Sequence, residues 1–204
     1  YNLSLSSCPA DEMGQAYEYL VGKFADDAGN TAQEFYTNRT VVDLMAEILQ
    51  PRPGESIYDP TCGSGGMLVK CLDFLRKKGE PWQGVKVFGQ EINALTSAIA
   101  RMNLYLNGVE DFSIVREDTL AHPAFVDGSR LRKFDVVLAN INRNILLNDM
   151  AAYVATLAKG GVLYMSGFYT EDIDVLKAEA ERHSLRFVRS DENNRWAMME
   201  LVKE

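Results

Sequence analysis

From residue 57 onward, short apolar runs alternate with helix-length amphipathic segments, and this alternation constrains the fold more than any other feature of the chain. Strands separated by whole helices are too far apart in sequence to pair as hairpins. They pair side by side as a parallel sheet, with the helices crossing over its faces. The pattern predicts strands near 56–58, 85–90, 112–116, 134–139, 161–166, 185–189 and 196–202, and helices over 67–78, 94–107, 145–158 and 171–183. Only residues 190–195 separate the last two strands, which is too short for a helical crossover, so these two form an antiparallel hairpin. The expected architecture is α/β: a seven-stranded, mostly parallel sheet with the last strand antiparallel and helices on both faces.

Ahead of the sheet, Met13, Ala16, Tyr17, Leu20, Val21 and Phe24 recur at helical spacing and predict an amphipathic helix over 11–27 packed on the domain. A second helix over 40–49 stops before Pro51-Arg52-Pro53-Gly54, which cannot continue it. The chain thus divides into a helical extension, 1–50, and a larger domain, 51–204. With 204 residues and 47% hydrophobic content, the chain can bury a proper core. A first residue of Tyr1 in place of methionine suggests a trimmed or excised fragment. No apolar run is long enough to span a bilayer and no charged-then-apolar leader opens the chain, so the expected setting is cytoplasmic, without a membrane.

The three cysteines, Cys8, Cys62 and Cys71, form no C-x-x-C pair, and His122 and His183 lack further ligands, so no metal is expected. The formal net charge of -8 weighs against unaided binding of duplex DNA. The only basic runs are Arg76-Lys77-Lys78, which suits a helix end, and Arg130-Leu131-Arg132-Lys133.

Chemistry concentrates where strands end. Asp59-Pro60-Thr61-Cys62-Gly63-Ser64-Gly65-Gly66 follows the run Ser56-Ile57-Tyr58 and leads into a helix near Met67. Glycines let a backbone turn tightly against a ligand, and a helix start offers unpaired N–H groups. The spacing is neither G-x-G-x-x-G nor a phosphate loop, and a plain strand-to-helix turn is the alternative. One strand-plus-helix unit later, Glu91 closes Phe88-Gly89-Gln90-Glu91, where an acid can accept two ribose hydroxyls, or simply be a solvated strand end. Asp118, in Val115-Arg116-Glu117-Asp118-Thr119, can accept from an adenine amino group or cap a turn.

The string Asp59 to Gly66 resembles the first motif of amino-methyltransferases, especially the modification subunit of type I restriction systems. Glu34-Phe35-Tyr36-Thr37-Asn38-Arg39 is similar to that family's cofactor-lid motif, with Asn38 where proline is usual, and Tyr17-Glu18-Tyr19-Leu20 followed by Gly22-Lys23-Phe24 is similar to its lead-in. The resemblance covers roughly residues 11–140. It implies a Rossmann-like class I methyltransferase fold, S-adenosylmethionine as cofactor, and cofactor contacts by Glu34, Phe35, Tyr36, Thr37, Arg39, Asp59, Thr61, Gly63, Ser64, Gly65, Gly66, Glu91, Ile92, Asp118, Thr119 and Asn140. It also implies DNA as substrate, reached with a separate specificity subunit.

The fourth long strand ends in Asn140, where adenine-modifying members carry Asn or Asp, then Pro-Pro, then an aromatic that stacks on a flipped base. In that family the Asn oxygen and the next carbonyl accept from the target amine, which makes Asn140 the catalytic candidate. Here the chain reads Asn140-Ile141-Asn142-Arg143-Asn144, without the prolines or the aromatic. From Ala139 the text is similar instead to the ribosomal-protein methyltransferases that modify protein L-eleven, through Asn140-Ile141, Lys159-Gly160-Gly161-Val162-Leu163-Tyr164-Met165-Ser166-Gly167-Phe168 and Arg195-Trp196. That second resemblance implies amino-group methylation of a ribosomal protein. The change of resemblance near 139–144 also raises a third reading, a natural or engineered chimera that keeps only cofactor binding.

Overall fold

The computed structural model describes residues 16, 17, 19, 20 and 51–204. In chain order the elements are β1 (Ser56–Asp59), α1 (Gly66–Lys77), β2 (Lys86–Glu91), α2 (Ala94–Leu106), β3 (Phe112–Arg116), β4 (Val126–Asp127), β5 (Arg130–Leu131) and β6 (Phe134–Asn140). There follow α3 (Arg143–Thr156), β7 (Leu157–Tyr169), a 3-10 turn (Thr170–Asp172), α4 (Ile173–Arg182), β8 (Leu185–Asn193) and β9 (Trp196–Lys203). Seven strands form one sheet in the order β3-β2-β1-β6-β7-β9-β8, and β4 and β5 form a separate ribbon. Neighbours from β3 through β7 run parallel, whereas β9 is antiparallel to both β7 and β8. The expected sheet is therefore present, with its reversed last strand slotted between β7 and the edge strand β8.

Alternation along the strands builds two cores, one on each face. Ile57, Val136, Leu138 and Met198 face one way and pack with Leu68, Leu72 and Leu75 of α1 and Ala100 and Leu104 of α2. Their neighbours Tyr58, Val137, Ala139 and Met199 face the other way, against Leu146 and Met150 of α3 and Leu176 and Ala180 of α4. Strands buried on both faces read as continuous apolar runs, and Val136-Val137-Leu138-Ala139 is one.

The boundaries differ from expectation in places with identifiable causes. Helix α3 starts at Arg143, two residues early, because the Asn142 side chain caps it by accepting from Ile145 N at 3.2 Å. It stops at Thr156 although Leu157 and Ala158 prolong the helical pattern. Lys203 Nζ donates to Val154 O at 2.8 Å and to Leu157 O at 2.9 Å, and Lys133 Nζ donates to Ala155 O, so distant cations terminate it. Strand β7 then begins at once, with Leu157 opposite Phe134 and Val162 opposite Val136, and the intervening residues bulge out. At the far end, Asn194 and Arg195 take positive φ values of 51° and 70° in a two-residue turn, which lets β8 run to Asn193.

Of the expected N-terminal helix, Ala16, Tyr17, Tyr19 and Leu20 are helical; Tyr17 is half-buried, and Tyr19 and Leu20 are exposed. The rest of 11–27, and all of 40–49, lie outside the described residues. Among the described residues no helix is long and apolar enough to cross a membrane.

Candidate functional site

Parallel strands bring their C-terminal ends to one edge of the sheet, and Asp59, Glu91, Arg116 and Asn140 end β1, β2, β3 and β6 there. The glycine turn folds over this edge. Cys62 N donates to Gln90 O at 2.9 Å and Gly63 N to Glu91 Oε2 at 3.1 Å, which lays the turn across the end of β2. Gly89 makes that approach possible: a Cβ there would stand 2.6 Å from Ile114 Cδ1 and 2.9 Å from Cys62 Sγ. From the helix side, Asn103 of α2 donates to Ser64 O at 3.0 Å. From the loop after β3, Thr119 Oγ1 donates to Pro60 O. Gly65, at φ +77°, starts α1, and no side chain caps that start.

Asp59 is buried at this turn, with Oδ1 accepting from Thr61 N at 3.0 Å. Loss of hydration drives its pKa from 3.8 up to about 7; the Thr61 bond opposes the rise and the charge of Glu91 adds to it. A carboxyl whose folded pKa is raised destabilises the folded chain as it ionises. Stability from this group is therefore fully present near pH 4 and is lost as the pH climbs to about 7, by at most ~1.4 kcal/mol per pH unit. Thermal melts of the ligand-free protein and of Asp59→Asn between pH 5 and pH 8 check this. The difference between the two should shift in favour of the variant as pH rises, and parallel curves would refute a buried, proton-binding Asp59.

Glu91 accepts at both oxygens, from Gly63 N and, at 2.8 Å, from Asn93 N. Asp118 takes Leu120 N at 2.9 Å and Ala121 N at 3.1 Å on Oδ1, and these bonds hold its carboxyl below the usual range. The turn-capping alternative is thus realised, and both bonds fall on one oxygen. Ile92 and Leu120, beside these two acids, are 63% and 54% exposed and leave apolar surface at the rim. At the end of β6, Asn140 Oδ1 accepts from the buried Ser166 Oγ at 2.7 Å, its register partner on β7. Ile141 N donates to Ser166 O at 3.1 Å. The structure therefore brings together Asp59, Thr61, Gly63, Ser64, Gly65, Gly66, Glu91 and Thr119, with Ile92, Asp118 and Asn140 along the same edge. Glu34, Phe35, Tyr36, Thr37 and Arg39 lie outside the described residues.

Four supporting residues escaped the sequence reading. Gln90 is fully buried and joins Tyr58 Oη at 3.0 Å, Ala124 N at 3.0 Å and His122 O at 3.2 Å, fixing the loop that carries Asp118. Asn103 ties the glycine turn to α2, Ser166 holds the side chain of Asn140, and Gly167 lets β7 pass close to the backbone of Ile141. An available signal was a polar residue inside an apolar strand or on the inward side of a helix, since such groups are buried only with partners.

Whether these residues suit a nucleoside with an amino-acid tail can be judged from the site itself. Thr61 Oγ1 is buried and has no hydrogen-bond partner, α1 begins uncapped behind Gly63 and Gly65, and Asp59 is a buried acid whose pKa burial raises. Donors for a carboxylate, an acid for an ammonium and acceptors for hydroxyls are thus side by side, and the set fits S-adenosylmethionine. The groove at the opposite edge, lined by Arg52, Glu55, Asp135, Lys159, Arg189 and Glu200, is a set of mixed charges, with Arg189 and Glu200 paired at 2.7 Å. Among the described residues no group of His, Cys, Asp and Glu is placed to hold a metal ion.

The basic runs are largely consumed by the fold. Arg76 stacks 3.9 Å over Trp82 and pairs with Asp73 at 3.1 Å, Arg132 lies 4.6 Å over Phe88, and Lys133 caps α3.

The chain is 50% identical over 161 residues to the ribosomal protein L11 methyltransferase of Bacteroides fragilis, covering 78% of this chain and 52% of that protein. It is 33% identical over 135 residues to the type I restriction enzyme HindI methylase subunit of Haemophilus influenzae, covering 66% of this chain and 29% of that one. The two matched stretches overlap, and the chain spans about half or less of either relative. A putative class I S-adenosylmethionine-dependent methyltransferase from Listeria monocytogenes shares the fold, with a TM-score of 0.77 at 16% identity over 98% of this chain and 70% of that one. The model of the N-6 DNA methylase family matches residues 9–152, more than half of the sequence, and the chain belongs to that family.

Proposed function

We propose that the chain is the catalytic core of an S-adenosylmethionine-dependent methyltransferase acting on an amino nitrogen, with the exocyclic amine of adenine in DNA as the first candidate substrate. The observation that carries this reading is Asn140, an amide at the end of β6 on the same sheet edge as the glycine turn and Glu91. Asp59, Thr61 and residues 63–66 hold the amino-acid end of the cofactor, Glu91 accepts from its ribose, and Ile92, Asp118 and Thr119 border its adenine. Glu34, Phe35, Tyr36, Thr37 and Arg39 cover it. Bound there, the cofactor supplies an electrophilic methyl group on a sulfonium.

What the chain contributes is position and hydrogen-bond acceptance. Asn140 Oδ1 and the following carbonyl accept from the target amine and fix its lone pair toward the methyl group, so that catalysis is chiefly orientation. Ser166 holds the amide of Asn140 from behind. Ser166→Ala should lower the transfer rate about tenfold while changing cofactor affinity less than about twofold, the signature of an interaction that orients rather than binds. Equal loss of both would assign Ser166 to the fold alone.

With a net charge of -8, and with the basic runs among the described residues largely taken up by the fold, the core reaches DNA through a separate specificity subunit. A second reading, methylation of a ribosomal protein's amino group, is favoured by Ile141-Asn142 standing where adenine-modifying enzymes carry Pro-Pro, by Arg143 standing where they place a stacking aromatic, and by the 50% identity to the ribosomal-protein enzyme. Arg143 opens α3 and pairs with Asp172 at 3.0 Å, so no aromatic stands at that position to stack on a flipped base. Radiolabelled methyl transfer to unmethylated duplex DNA, with a specificity subunit supplied, and to ribosomal protein separates the two. Label on neither substrate, with calorimetric binding of S-adenosylmethionine intact, would leave a chimeric chain that retains only the cofactor site. The setting proposed for either activity is the cytoplasm.

A further inference from the structure

Helix α2 buries Thr96, Ser97, Ala100, Asn103 and Leu104 and turns a second apolar stripe outward. Leu95, Met102 and Tyr105 are 66%, 48% and 56% exposed, and Ala98 is exposed between them. The spacing 95, 98, 102, 105 alternates three and four residues, the seam along which two helices pack side by side. Arg101, beside the stripe, does not cover it: its guanidinium is turned to Ser97 Oγ at 2.8 Å and Ile114 O at 3.2 Å. The helix flanks β3, the outermost strand at that side of the sheet, so among the described residues no element lies beyond it.

The charges at the two ends of the stripe say what covers it. At the start of α2, Arg116 lies with Nε 3.5 Å from Ile92 O. Just past its end stand Glu110 and Asp111, both exposed. Cation at one end and acids at the other make the surface complementary to itself when reversed. A parallel partner helix would stack like charges, whereas an antiparallel one sets Arg116 against Glu110 and Asp111 twice, as a two-fold axis requires.

We propose that the outer face of α2 is a docking surface for a second copy of this chain, packed antiparallel across Leu95, Ala98, Met102 and Tyr105. The stripe runs only ~15 Å along the helix, so the pairing is a small interface of the weak, concentration-dependent class. Sedimentation equilibrium of the full chain, from about 1 to about 300 µM at low salt, should show the mass rising from 22.8 kDa toward twice that value. Met102→Glu should raise the dissociation constant at least about tenfold, with unchanged circular dichroism and melting temperature. Arg116→Glu should weaken pairing similarly, and adding Glu110→Lys and Asp111→Lys should restore it to within about threefold, because each charge pair is rebuilt reversed. A chain monomeric at the highest concentration, a dimer indifferent to Met102→Glu, or a triple reversal that fails to restore pairing overturns the proposal.

Discussion

Replacing Gly167 by alanine should lower the melting temperature by about 6–12 °C, corresponding to about 3 kcal/mol for a chain of this size. Gly167 sits at a break in the β7–β9 register with φ +89°, and a Cβ there would stand 2.6 Å from Ile141 O, 2.8 Å from Ile141 C and 2.9 Å from Ile141 N. The left-handed backbone costs an alanine roughly 1–2 kcal/mol, and the overlap adds a similar amount because backbone cannot rotate away as a side chain can. Gly54 provides the control. Its φ of +87° is nearly the same but nothing lies within 4 Å, so Gly54→Ala carries the conformational cost alone, about 1–2 kcal/mol. The displaced group is the turn that follows Asn140, so methyl transfer should fall about a hundredfold while cofactor affinity changes less than about threefold. A Gly167→Ala protein that melts with Gly54→Ala would show that the contact with Ile141 is not a constraint.

This contact also marks where reading the sequence stops. The sheet was legible because its strands are buried on both faces: Val136-Val137-Leu138-Ala139 is apolar whichever face each residue serves. The hairpin at the end was legible from the short connection alone. Helix α3 was drawn too long at its end because its terminator, Lys203, lies 46 residues away, and no local pattern encodes such a bond. The small ribbon of β4 and β5 was missed because two-residue strands carry no periodicity.

At the candidate site, the residues that close strands declared themselves: an acid or amide after an apolar run is conspicuous at Asp59, Glu91 and Asn140. The residues that hold those groups in place did not, because Gln90, Asn103 and Ser166 act through partners set 26 to 39 residues away. Gly89 belongs with them: its missing side chain is explained by Ile114 on the neighbouring strand and by Cys62 arriving from the turn after β1. Chemistry was visible as residue type at an element's end, whereas support depends on which elements become neighbours.

Glu91 tests whether the glycine turn and the cofactor share one anchor. Its two oxygens already accept Gly63 N at 3.1 Å and Asn93 N at 2.8 Å, so the same carboxylate shapes the turn and starts α2 before any ligand arrives. Glu91→Ala removes the acceptors proposed for the ribose and also the group that holds Gly63 over the strand edge. Hydrogen bonds to a charged group contribute about 1.5–3 kcal/mol each, so affinity for S-adenosylmethionine should fall about a hundredfold or more by calorimetry. The ligand-free protein should lose about 1–2 kcal/mol, since Gly63 and Asn93 N–H groups then depend on water. Glu91→Gln keeps one carbonyl oxygen and should fall between, with about a tenfold loss of affinity and little loss of stability. That ordering separates the two roles. If Glu91→Ala loses stability as expected yet binds S-adenosylmethionine within about twofold of the unaltered chain, then Glu91 builds the turn without touching the ligand, and the ribose lies elsewhere along the sheet edge.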